Sequence, residues 1–157
     1  MSLASLESDR RSYVNDALYW SGRAQDHSAR VTALEADLNH VQGQLQSARD
    51  VAEACWNLIS TARDADQDLS KLGDAVSAAL VEDARAAVIA LGSANVPNAE
   101  QAYAAAQALV GELEASASLI NGSLTDARLS YADAARRAST ARQQADRVSY
   151  QIARYNG

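Results

Sequence analysis

Phenylalanine is absent from this chain, and proline, cysteine and methionine occur once each among its 157 residues. Seven glycines complete a set of turn and strand formers too sparse for a sheet protein with many loops. The single Cys55 cannot close an internal disulfide, and its place in an apolar stripe marks it as a small packed side chain rather than a nucleophile. No run approaches the apolar length of a membrane span, and Met1 to Arg11 lacks the apolar stretch of a signal peptide. The expectation is therefore a cytoplasmic protein, or one exported by a route that needs no cleaved leader. What is abundant is alanine, the best helix former.

The net charge of −6 would repel nucleic-acid phosphates, so no nucleic-acid partner is expected. That charge is uneven. Residues 1 to 49 carry 6 acids and 5 bases, residues 50 to 126 carry 12 and 3, and residues 127 to 157 carry 2 and 6. Membrane-surface binding is also not expected, because the chain has one lysine and its basic end is apolar mainly through alanine, which inserts weakly.

From Leu6 apolar residues recur at alternating steps of four and three: Leu6, Tyr13, Ala17, Trp20, Ala24, Val31, Leu34, Leu38, Val41, Leu45, Ala48, Ala52, Cys55, Ile59 and Ala62. Arg10 and His27 alone interrupt this seam, which predicts a coiled-coil-like helix over about 4–64. Beyond it the polar stretch "RDADQDLSKLGD" and a shifted apolar phase (Leu69, Leu72, Val76, Leu80, Ala84, Ala87, Leu91) predict a bend or a second helix over 68–91. "GSANVPN", residues 92–98, reads as a turn, since Gly92 suits a helix end and Pro97 cannot continue one. A third helix is predicted over 98–120, with Ala102, Ala106, Leu109, Leu113 and Ile120 on one side. Asn121-Gly122 reads as a stop and Ser123 as the cap of a fourth helix over 123–155. Its seam is Ala127, Tyr131, Ala134, Ala138, Ala141, Ala145, Val148, Ile152 and Tyr155.

The fold class is therefore all-α: one helical domain over 1–157, an elongated bundle of three to four unequal helices packed on the long first one. The alternative is one long antiparallel helical hairpin folding at Pro97.

Chemistry finds little support in the residues. Asp64, Asp66 and Asp68 have the spacing of a calcium loop, but Leu69 and Ala75 stand where the sharp-turn glycine and closing glutamate belong. A solvated acidic run is the expected reading. No Glu-x-x-His pair, phosphate loop or nucleophile elbow occurs. His27 and His40 would stand about 220° apart around one helix and cannot share a ligand. No catalytic residue, metal or cofactor is expected.

Surface for other helices is what remains. Around Val51 to Ile59 the apolar set widens to include Val51, Trp56 and Leu58, so these residues are candidate interaction sites if later helices leave them uncovered. Trp20 is a fourth candidate. Arg128, Arg137 and Arg142 flank the last seam, from which they can reach a neighbouring helix. Pairing with acids of 50 to 126 inside the fold is expected, and pairing between subunits would use the same chemistry.

"WSGRAQDHSARVTALEADL", residues 20–38, resembles the W-x-G proteins of type VII secretion, in which Trp and Gly mark a turn before a long amphipathic helix. The resemblance implies a leaderless secreted helical component, a targeting domain or a chaperone. The seam reads differently: it keeps phase from Tyr13 and Ala17 through Trp20 to Ala24, which predicts an unbroken helix with Gly22 on its outer face. The preferred expectation is a non-enzymatic structural or scaffolding protein, a homo-oligomer that associates through long helices. The leaderless-secretion component is the alternative.

Overall fold

Ser2 caps the first helix. Its hydroxyl accepts from the Ser5 amide at 3.3 Å and its carbonyl accepts from Leu6 N–H at 3.2 Å, which satisfies two of the amides a helix start leaves unpaired. The computed structural model describes residues 2–72 and 78–155, with side chains throughout except at Asp66 and 69–94. From Leu3 onward all of this is helix, in two pieces: α1 over Leu3–Leu72 and α2 over Ala78–Tyr155.

Two helices stand in place of the expected three to four, and each expected break proves helical. The first break, near 64–70, lies inside α1, and the backbone carrying Asp64, Asp66 and Asp68 is helix rather than a calcium-type loop. Its shifted apolar phase, from Leu69 to Leu91, falls outside the described side chains. The turn read at "GSANVPN" is absent, because α2 passes through Gly92 and Pro97. Proline costs about 3 kcal/mol in a helix interior. Here Pro97 lies on the exposed side, while Val96 is half-buried and Ala99 is buried, so packing on the other side carries the helix across the missing amide.

The stop read at Asn121-Gly122 is likewise absent. Thr125 Oγ1 donates to the Asn121 carbonyl at 2.9 Å, the back-bond by which a polar residue settles inside a helix. Leu124 and Ala127 are buried on the same stripe. That stripe is unbroken from Val96 through Ala99, Tyr103, Ala106, Val110, Leu113, Ala117 and Ile120 to Ile152, all buried or half-buried except Tyr131. Ala102 and Leu109, expected on the buried side, are exposed.

The chain forms two compact units, each a pair of helical segments. Unit 1 comprises Met1–Asn39 and Ser118–Gly157, and unit 2 comprises His40–Ala117. In both, the seam occupies heptad positions a and d. The polar and charged side chains that hydrogen-bond across the pair occupy position e. Within unit 2, Arg49 meets Glu114 at 2.7 Å and Arg63 meets Glu100 at 3.3 Å, so a two-heptad advance on α1 matches a two-heptad retreat on α2. Within unit 1, Ser21 meets Arg142 and Glu35 meets Arg128, each at 2.7 Å, with the same opposed steps. The segments of each unit are therefore antiparallel and hold one register. These exposed pairs orient more than they stabilise, at roughly 0–1 kcal/mol each.

The core is alanine-rich. Ala17, Ala127, Ala134, Ala138, Ala141 and Ala145 are buried in unit 1, and Ala48, Ala52, Ala99 and Ala106 in unit 2. Larger buried apolar side chains among the described residues are Leu6, Leu124 and Ile59. Short side chains let two helix backbones approach closely, so dispersion between near-touching surfaces replaces the burial of bulky groups.

Candidate protein-interaction surfaces

In unit 1 the Trp20-Ser21-Gly22 stretch is helical and tied to α2. Trp20 is half-buried on the seam, Tyr19 meets it edge-on at 5.1 Å, and the Arg137 guanidinium lies 4.5 Å over its ring. Arg142 Nη2 donates to Ser21 Oγ at 2.7 Å. A Cβ built on Gly22 meets nothing within 4 Å. The backbone thus does not reverse direction at this tripeptide. Gly22→Ala is expected to raise stability by about 1 kcal/mol, the ordinary gain for an exposed helical position. A urea titration checks this, since a residue in a turn would respond with a loss.

The basic stripe of α2 pairs otherwise than expected. Arg128 bonds Glu35, Arg142 bonds Ser21, and Arg137 Nε donates to Asp133 Oδ2 at 2.7 Å, so none of the three takes an acid from 50 to 126. The antiparallel register is the reason, for it sets these arginines beside residues 20–35 rather than beside the acidic middle of the chain. Asp133 also accepts from Arg136 Nη2 at 2.7 Å. That bond, with the one from Arg137 and the charges of both, holds its carboxyl below the usual value against a smaller desolvation effect. The contribution to stability is present above the ordinary carboxylate value and fades as pH falls through the lowered one. An NMR titration of the Asp133 carboxyl is expected to show a midpoint below the ordinary aspartate value.

Unit 2 carries the other candidates, and the structure leaves them open. Val51 and Leu58, 51 % and 50 % exposed, occupy successive g positions of α1; Leu109, 47 % exposed, occupies a g position of α2. Between Val51 and Ala65 on α1, and between Asn95 and Leu109 on α2, no g or c position bears a charge. The e edge differs, with its Arg49–Glu114 and Arg63–Glu100 pairs. There Trp56, 49 % exposed, meets Tyr103 at 5.6 Å with ring planes 40° apart. Arg49, Ala52, Glu53, Trp56, Tyr103, Gln107 and Val110 line an open groove of ≈ 340 Å³ around them.

Sequence reading did not name Tyr103, and it put Leu109 on the buried side of its helix. Both follow from carrying the register of Ala127 and Ala134 backward through Asn121-Gly122, which puts Tyr103 on the seam and Leu109 beside it. Among the described residues no group of three or more His, Cys, Asp or Glu could hold a metal ion, and no helix is long and apolar enough to cross a membrane. No family model, curated protein or solved structure matches this chain.

Proposed function

We propose that this chain is a non-enzymatic structural or scaffolding protein that associates with further copies of itself through its helices. The observation that carries this reading is the uncharged apolar edge of unit 2, where Val51, Leu58 and Leu109 stand half-exposed beside a seam already covered. A helix pair needs apolar residues only at a and d to hold together. Apolar residues at g as well widen the stripe beyond what one neighbour covers, the pattern of helices with contacts on two sides.

Sedimentation equilibrium over a wide concentration range tests the reading. Association is expected in the native chain, and Val51→Glu with Leu58→Glu is expected to weaken it at least about tenfold while far-UV circular dichroism stays helical. A mass of 16.6 kDa at every concentration would overturn it.

A further inference from the structure

The Trp56–Tyr103 groove has the make-up of a cation site. Two half-open aromatic faces meet at an angle, and the negative face of each ring attracts positive charge. The charge of Arg49 is matched by Glu114, and that of Arg63 by Glu100. Glu53 is then the one uncompensated charge among the lining residues. Unit 1 shows what such a ring accepts, because its own Trp20 is covered by the Arg137 guanidinium at 4.5 Å. Among the described residues no cation covers Trp56.

The complementary group lies on the same chain. Residues 127 to 157 carry six arginines against two acids. Inside unit 1, Arg128, Arg137, Arg142 and Arg136 are engaged by Glu35, Trp20 with Asp133, Ser21 and Asp133 respectively. Arg147 and Arg154 remain, both exposed and seven residues apart, which is two turns and therefore one face of α2. Arg147 has no acid paired with it among the described residues, and Arg154 rests 5.9 Å from the ring of the exposed Tyr150.

We propose that the groove formed by Trp56, Tyr103 and Glu53 receives an arginine of the Arg147/Arg154 face from a second copy of the chain, so that copies join head to tail. The proposal rests on the self-association reading above and adds a second contact, separate from the Val51, Leu58 and Leu109 edge. Different patches meet in such a contact, and where the rotation between copies does not close, larger species form as concentration rises. The attraction between a carboxylate and a guanidinium at an exposed groove is screened by salt.

The test uses the full chain in analytical ultracentrifugation at about 0.05 M and about 0.5 M salt. Trp56→Ala, and separately Arg147→Glu with Arg154→Glu, are each expected to weaken association about tenfold, and the arginine replacement to remove the loss of association on raising salt. All three positions are exposed, so circular dichroism should be unchanged. Mixing the two variants, each made with Val51→Glu and Leu58→Glu to silence the apolar edge, leaves one intact groove and one intact arginine face, and is expected to restore pairs that grow no further. Association of native strength in both variants, or a mixture that yields no pairs, would overturn the head-to-tail contact while leaving self-association standing. A native chain that stays monomeric at every concentration would remove the underlying reading itself.

Discussion

Aspartate in place of Ala134 is expected to destroy the cooperative unfolding of unit 1, at a cost of about 3–5 kcal/mol. Ala134 is 2 % exposed, on a seam where Ala127, Ala138 and Ala141 are also buried. Such a seam holds helices close because nothing extends beyond Cβ, so an added carboxyl must push the backbones apart. The carboxylate would also lose its water without gaining a partner, for no polar or charged residue is buried among the described ones. The nearest cations on its own helix, Arg136 and Arg137, are already held by Asp133. A loss of this size is a large fraction of the total stability of a small domain. Thermal melts followed at 222 nm read the effect. Ala132→Asp, on the exposed side of the same turn, is the control and should stay within about 0.5 kcal/mol of the native chain. Coincident melts for the two variants would show that position 134 is not sealed.

Ile59→Ala is expected to be the most damaging truncation in unit 2, at about 2–4 kcal/mol. Ile59 is 2 % exposed and is the largest fully buried side chain among the described residues. It shares its seam with Ala48 and Ala52, whose methyl groups cannot swing in to fill the space it leaves. The helices can close part of the gap by moving together, which keeps the loss below the upper end for a rigid core. Ile59→Val removes one methylene and should cost about 1 kcal/mol. Leu58→Ala, next to it in the chain but half-exposed, should cost less than Ile59→Val, because little area returns to water. Chemical denaturation of the three variants gives the ranking, and a larger loss at Leu58 than at Ile59 would contradict the buried seam described for α1.

The seam of α1 was legible residue by residue. Leu6, Ala17, Ala48, Ala52 and Ile59 are buried where the alternating steps place them, and Arg10, the charged interruption, is exposed. The unbroken helix through Trp20-Ser21-Gly22 was legible for the same reason, since phase persisted across a glycine that costs only about 1 kcal/mol. Pro97 and Asn121-Gly122 misled because they are local signals. Each disfavours helix by its own backbone chemistry, but the stripe from Val96 to Ile152 spreads its gain over many residues and outweighs them.

The candidate surfaces divide along the same line. Val51, Trp56 and Leu58 were visible as apolar residues outside the seam, and the structure leaves all three half-exposed. Trp56's neighbour Tyr103 is 47 positions along the chain, and no spacing within either helix points to it. The arginines show this most clearly. Their position beside a seam could be read, but Glu35 and Ser21 as partners could not, because a charge pattern carries no information about which distant segment lies opposite.

Composition and heptad spacing alone therefore determine that this chain is helical and which stripe of α1 is buried, because both depend on residues within a few turns of one another. Which segments pair, in what register, and hence which apolar residues stay open to a partner were decided only by tertiary structure. Those outcomes depend on contacts between residues far apart in the chain, where a shift of one heptad would preserve every local preference and exchange every partner.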